Sequence, residues 1–308
     1  MQTENSFLND LKNTYRTGGM TIKLIFINII VFIFIGIIEV IARLLGGTIG
    51  NILMYSVNLV FGLKTSLSLF IKSPWGLFTN IFTHFTILHL LFNMIFLYSI
   101  GKIFEQFFSS KRLVYTYILG GLFGGLLELL SHLILPNLPD TTVIGASGAV
   151  MAILVATAFY QPKLTVSIWG LFNLKLIYLA LIFILINLYN AGMGTQNGTA
   201  YFAHLGGALL GYLSVQNPFS SSNIINRGIR IGDSFINLFK RNKTKKGKFS
   251  YSKKRATETR FKSDEEYNVS AKQKQEKIDA ILDKISKSGY ESLSKSEKEL
   301  LFKQSNQK

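Results

Sequence analysis

Along the first 217 residues the apolar positions do not alternate with polar ones but run on in blocks. Six such blocks lie at about residues 24–42, 84–105, 113–134, 147–161, 173–190 and 201–216, near the roughly 20 mostly apolar residues a helix needs to cross a membrane. The pattern predicts an all-α, polytopic membrane protein with six transmembrane helices over residues 24–217, following a polar segment, 1–23, expected to be cytoplasmic. The fourth and sixth blocks are short. Between the first and second lies a semi-apolar stretch, residues 45–73, broken by Lys64 and Lys72, which is expected as a loop lying partly in the interface.

Composition agrees with a lipid environment. The chain has 308 residues, of which 48% are hydrophobic and only 16% charged, against about a quarter charged in an ordinary soluble domain. The polar start and the long apolar run after it, with no small-residue cleavage pattern, read as a retained signal anchor rather than a removable leader.

Basic residues set the expected topology, because short cytoplasmic loops are enriched in Lys and Arg. With six spans, Lys12, Arg16 and Lys23, then Lys102, Lys111 and Arg112, then Lys163 and the basic tail fall on one side, while residues 135–146 and 191–200 hold no Lys or Arg. Both termini are therefore expected in the cytoplasm.

From residue 240 onward 20 Lys and Arg stand against 10 Asp and Glu, a net of +10 out of the chain's +16. Residues 218–262 are expected as a basic linker able to meet anionic lipid headgroups. In residues 263–308, Ile278, Ile281, Leu282 and Ile285 follow helical spacing, Gly289 is placed to end that helix, and Ser294 with Glu297 resembles a capping box opening a second. That predicts a small helical hairpin without chemistry of its own.

The chain contains no cysteine and four histidines, His84, His89, His132 and His204, all within or beside the predicted spans. Ionisable groups there are costly and face a cavity or a partner; for His132 alone, an interhelical hydrogen bond suffices as explanation. His89 and Asn93 are four apart, hence on one helical face. His84 and His89 are five apart with no Glu between them, which disfavours a metal site, and no cofactor is expected. Gly145-Ala146-Ser147-Gly148 opens the fourth span, where glycine permits a tight turn and the unsatisfied N–H groups of a helix start are available to an oxyanion. In Ala203-His204-Leu205-Gly206-Gly207-Ala208-Leu209-Leu210-Gly211 the Gly207 and Gly211 face permits close helix approach and lies on the side of His204. If the sixth span packs on the fourth there, His204 reaches Ser147 as the base a serine nucleophile requires. No Asp or Glu occurs between Asp140 and Asp233, so the expectation is a dyad without a carboxylate, its imidazole held by packing and a nearby hydroxyl or backbone acceptor.

Taken together, His84-x-x-x-x-His89-x-x-x-Asn93, Gly145-x-Ser147-Gly148 and Ala203-His204-x-x-Gly207-x-x-x-Gly211 resemble the rhomboid family of intramembrane serine proteases over roughly residues 74–216. The resemblance implies a six-helix rhomboid-like bundle with Ser147 as nucleophile and His204 as general base. It implies His89 and Asn93 lining the oxyanion hole with the Ser147 N–H, and His84 as a structural helper beside Asn93. Pro74-Trp75 and Phe78-Thr79 also resemble the family's stretch ahead of the second helix, and Gly101 with Glu105 the end of that helix. Gly76 stands where many members carry Arg, and Met151 where some carry a Tyr that stacks on the histidine, so thioether packing is expected instead. The implied function is intramembrane hydrolysis of transmembrane protein substrates, in a bacterial inner or plasma membrane, at a site opening to the extracytoplasmic side. The rival is a non-proteolytic rhomboid-like scaffold that binds membrane clients. Nothing points to nucleic acid.

Overall fold

The computed structural model describes residues 3–135, 137–168, 172–193 and 199–240, together with 279–281, 283–285, 288–289, 292–294 and 296–298. The chain divides into residues 1–244 and 245–308. The first unit runs α1 (Thr3–Thr17), α2 (Gly19–Leu45), α3 (Gly47–Phe61), β1 (Leu63–Lys64), α4 (Leu67–Lys72), α5 (Gly76–Thr79), α6 (Ile87–Phe107) and α7 (Ser110–Ile134). It continues through β2 (Thr142–Val143), α8 (Ser147–Tyr160), β3 (Thr165–Ile168), β4 (Phe172–Lys175), α9 (Leu176–Gly192), α10 (Tyr201–Val215) and α11 (Ile224–Lys240).

Among the described residues, α2, α6 and α7 are long and apolar enough to cross a membrane, and α3, α8, α9 and α10 are shorter apolar helices. With these helices the chain is an integral membrane protein, and its side chains divide accordingly. Ile30, Phe34 and Ile37 of α2, Leu88 and Phe92 of α6, and Leu185 and Tyr189 of α9 face outward, while small residues and the polar side chains of α7, α8 and α10 turn inward. Burial here follows helix packing, because lipid offers apolar side chains no reason to hide.

At the centre stand α7, α8 and α10, held close by glycine. A Cβ at Gly120 would crowd Ala152, one at Gly124 would lie 2.6 Å from the Ala203 carbonyl oxygen, and one at Gly206 would lie 2.6 Å from that of Phe123. Two carboxylates hold helix starts. Glu105 accepts from the Met20 N–H at 2.9 Å and the Thr21 hydroxyl at 2.7 Å, and buried Glu128 accepts from the Ala203 N–H at 2.8 Å. Each meets N–H groups that no intrahelical acceptor serves, at the positive end of a helix dipole, α2 and α10 respectively.

Three stretches differ from the sequence reading. Residues 45–73 are largely helical: Ile49, Ile52 and Tyr55 of α3 are exposed while Gly50 and Val57 pack inward, and positive φ at Gly46 and Gly47 makes the turn from α2. Pairing of Leu63 with Val143 and of Lys64 with Thr142 ties this stretch to the loop ahead of Ser147. Lys64 donates to Asn58 Oδ1 and Thr142 Oγ1, both at 2.7 Å, and its partial burial pushes the ammonium below the usual lysine range. Thr165–Ile168 pairs antiparallel with Phe172–Lys175, Thr165 opposite Lys175. Within the expected linker, 218–262, α11 packs on α7 through Gly228 against Leu119 and Gly232 against Tyr115. Buried Arg112 fixes the reversal into α11 by donating to the Ser214 and Pro218 carbonyls and to Asn223 and Asn226.

In the second unit, Gly289 takes φ +75 and its N–H reaches the Ile285 carbonyl at 2.9 Å. The Ser294 N–H donates to Glu297 Oε2 at 2.7 Å while the Glu297 N–H reaches Ser294 Oγ at 3.4 Å, the reciprocal pair of a capping box. Ile278 and Leu282 of the expected hairpin, and the stretch 241–277, lie outside the described residues.

Candidate active site

Ser147 is the first residue of α8. The turn that delivers it is fixed from the preceding loop: Gly145 takes φ +115, its N–H donates to the Asn80 carbonyl at 2.9 Å, and the Ala146 N–H donates to His84 Nε2 at 3.3 Å. His84 is fully buried, so its imidazole serves here as a structural acceptor for the loop. At 14 residues α8 is about 21 Å long, less than the roughly 30 Å of a hydrocarbon layer. Its first-turn N–H groups have no intrahelical acceptor.

From the facing helix α10, His204 Nε2 lies 2.7 Å from Ser147 Oγ. Glycine makes that approach possible. A Cβ at Gly207 would lie 2.8 Å from the Gly148 carbonyl carbon and 3.1 Å from its Cα; one at Gly211 would lie 3.0 Å from Ala152 Cα; and one at Gly148 would lie 3.1 Å from the Ala203 carbonyl oxygen. All three glycines sit on the contact between α8 and α10, within two turns of the pair.

His204 Nδ1 lies 2.6 Å from Asn187 Oδ1 on α9. The expectation of packing plus a hydroxyl or backbone acceptor is corrected here, since the partner is a side-chain amide. Sequence reasoning missed Asn187 because it lies 17 residues ahead of His204 on a separate helix, amid Leu185, Ile186, Leu188 and Tyr189, with no spacing that links it to the histidine motif. The available signal was the two amides of an apolar helix, Asn187 and Asn190, of which the structure buries Asn187.

Ser147, His204, Asn187, Asn93 and Met151 line one cavity of about 190 Å3 with Phe92, Phe96, Val150, Leu154 and Phe183. Asn93 is anchored by donation from Nδ2 to the His89 carbonyl at 2.9 Å. Met151 is buried in the cavity wall. His89 stands beside this group: its ring meets that of His84 with centroids 4.9 Å apart, and a Cβ on Gly145 would fall 2.7 Å from it. Gly76 packs so closely on Gly62 that a Cβ would lie 2.5 Å from its carbonyl oxygen. No arginine fits at that position, and Lys64 bridges the same loop instead. His132 stays apart from the cavity, its ring nitrogens 2.9 Å from the Glu128 carbonyl and 3.2 Å from that of Pro139.

A hydroxyl, an imidazole and an amide in series, at the start of a short helix inside a helical membrane body, define a site equipped for nucleophilic chemistry on an acyl group. Comparison with known proteins bears on this stretch: the rhomboid domain family matches residues 72–216, which form a rhomboid domain. A family of unknown function (DUF6576) matches residues 262–307. Relatives include RHOMBOID-like protein 7 of Arabidopsis thaliana, 30% identical over 48% of this chain and 45% of its own length. Rhomboid-like protease 3 of Toxoplasma gondii is 34% identical over 44% and 49%, and RHOMBOID-like protein 1 of Arabidopsis thaliana is 39% identical over 45% and 33%. The chain thus spans a third to a half of these relatives' length.

Proposed function

We propose that the protein is an intramembrane serine endopeptidase that hydrolyses peptide bonds of transmembrane protein substrates. The observation that carries this reading is the 2.7 Å approach of His204 Nε2 to Ser147 Oγ at the wall of a cavity shared with Asn93. In the proposed reaction Ser147 Oγ attacks the scissile carbonyl while His204 Nε2 takes its proton. The oxyanion forms against the Ser147 N–H, Asn93 and His89. His204 then returns the proton to the leaving amine, which departs from a Ser147 ester, and water hydrolyses that ester with His204 again as base. His84, Gly145, Gly148, Met151, Gly207 and Gly211 support the site without reacting.

In this reading α2, α6, α7, α8, α9 and α10 are the six spans, both termini are cytoplasmic, and Ser147 opens to the extracytoplasmic side. The absence of Lys and Arg from residues 135–146 and 191–200 supports that orientation. Substrates reach the cavity past α9 and the 191–203 segment. The basic residues from 240 onward meet anionic lipid headgroups, which their charge favours.

The test is reconstitution in liposomes with a single-span substrate beside the Ser147→Ala variant. Cleavage by the parent and not by the variant is expected, and a fluorophosphonate should label Ser147 only when His204 is intact. Cleavage unchanged in Ser147→Ala would sink the protease reading, and absence of cleavage by the parent on a range of substrates would favour the client-binding scaffold.

A further inference from the structure

A neutral imidazole exists in two tautomers, and only the one protonated at Nδ1 presents a lone pair at Nε2. His204 needs that tautomer to accept a proton from Ser147, and packing alone does not choose it. The structure assigns that choice to Asn187, which we propose is the positioning residue of the site. This rests on the reading of Ser147 and His204 as nucleophile and base.

The amide of Asn187 has its own orientation fixed. Its Nδ2 donates to the Phe183 carbonyl at 2.7 Å, one turn earlier on α9. That leaves Oδ1, an acceptor only, facing His204 Nδ1 at 2.6 Å. The chain of donors therefore runs one way. Asn187 Nδ2–H is used on α9, His204 Nδ1–H donates to Asn187 Oδ1, and the Ser147 hydroxyl donates to His204 Nε2. When the proton moves from Ser147 to Nε2, the Nδ1–H bond persists and the amide dipole faces the new imidazolium. Asn187 is 5% exposed, whereas its neighbours Leu185 and Leu188 are 62% and 57% exposed. One inward polar side chain on an otherwise outward-facing stretch of helix is thus in contact with the base.

A purely structural role makes a different prediction. Were Asn187 only a helix-packing residue, Asn187→Leu, apolar and with the same branched frame of four heavy atoms, would be the milder change. Asn187→Asp, which keeps the acceptor oxygen but loses the Nδ2 bond to Phe183 and adds charge within the membrane, would be the harsher one. A positioning role reverses the order.

The experiment measures kcat and KM in liposomes for the parent, Asn187→Leu and Asn187→Asp, with the 15N signals of His204 recorded in selectively labelled protein. The expected result is a fall in kcat of roughly 10²–10⁴-fold in Asn187→Leu, unchanged KM, and recovery of most of kcat in Asn187→Asp. The Nδ1–H tautomer should dominate in the parent and give way to a mixture in Asn187→Leu. Equal kcat in the parent and Asn187→Leu, or Asn187→Leu more active than Asn187→Asp, overturns the proposal. The tautomer signal separates the two layers of the argument. If the parent cleaves nothing, the protease reading fails, while loss of the Nδ1–H tautomer in Asn187→Leu still supports Asn187 and its retention refutes it.

Discussion

Replacing Gly207 by alanine adds one methyl group at the contact between α8 and α10. That methyl would sit 2.8 Å from the Gly148 carbonyl carbon and 3.1 Å from Gly148 Cα, against an ordinary carbon–carbon separation of about 3.5–4.0 Å. The Gly148 carbonyl oxygen lies closer still, so the obstacle is backbone, no side chain can swing aside, and the helices must part by about 1 Å or more. His204 lies one turn before Gly207 and Ser147 is bonded to Gly148. A parting of that size stretches the 2.7 Å Oγ to Nε2 distance to about 3.5 Å, beyond a useful hydrogen bond. Overpacking of this kind costs about 1–3 kcal/mol of stability, whereas loss of the base contributes roughly 10²–10⁴-fold to rate. The signature of Gly207→Ala is thus a small fall in thermal stability in detergent and a loss of cleavage of at least about 100-fold. Gly36→Ala in α2 is the matched control, since nothing lies within 4 Å of a Cβ there. If Gly207→Ala unfolds and cleaves like Gly36→Ala, close backbone approach is not what aligns the pair.

The same logic extends to the groups that hold the site's two loops. Glu128→Leu leaves the buried Ala203 N–H without its acceptor, a loss of about 1–3 kcal/mol that thermal unfolding should detect; Glu128→Gln, which keeps an acceptor oxygen, should recover most of it. Gly145→Ala forces a side chain into φ +115 and against the His89 ring, 2.7 Å away. It should cost about 1–3 kcal/mol and abolish fluorophosphonate labelling of Ser147. Labelling at the parent's rate would mean that the turn does not set the serine's position.

Where sequence and structure agree, the reason is local. The helix cores were legible because each is a block of apolar residues, and α8 begins at Ser147 as expected because the turn chemistry is written in Gly145-Ala146-Ser147-Gly148. The approach of His204 to Ser147 was legible because each residue sits close to a glycine, Gly148 and Gly207, that permits close helix contact, and these two meet between α8 and α10. The α11 helix was overlooked because the basic stretch after it dominated the reading, although Gly228 and Gly232, four apart, and Ile225 and Ile229, likewise four apart, carry the spacing of a packed helix. The pairing of Thr165–Ile168 with Phe172–Lys175 and the tie between Lys64, Asn58 and Thr142 depend on partners that local pattern does not name.

Asn187 belongs to a different class from these omissions. Its donor bond to Phe183 is local and ordinary for an amide in an apolar helix, so from sequence the residue is already explained. Its second bond exists only because α9 lies against α10, and it follows that the setting of the His204 ring depends on how those two helices are packed. A carboxylate at that place would have announced itself as a charge in a membrane span; a neutral amide can accept from the imidazole without that cost, and for the same reason leaves no mark in the pattern. In a lipid-embedded site the residues that orient a base are therefore better sought among single amides and hydroxyls facing inward than among charges. Ser214, fully enclosed and bonded to the Gly211 carbonyl, shows the limit of that rule, since its hydroxyl is satisfied within its own helix. The distinguishing mark of Asn187 is that its local bond uses one end of the side chain and leaves the other end facing a titratable ring.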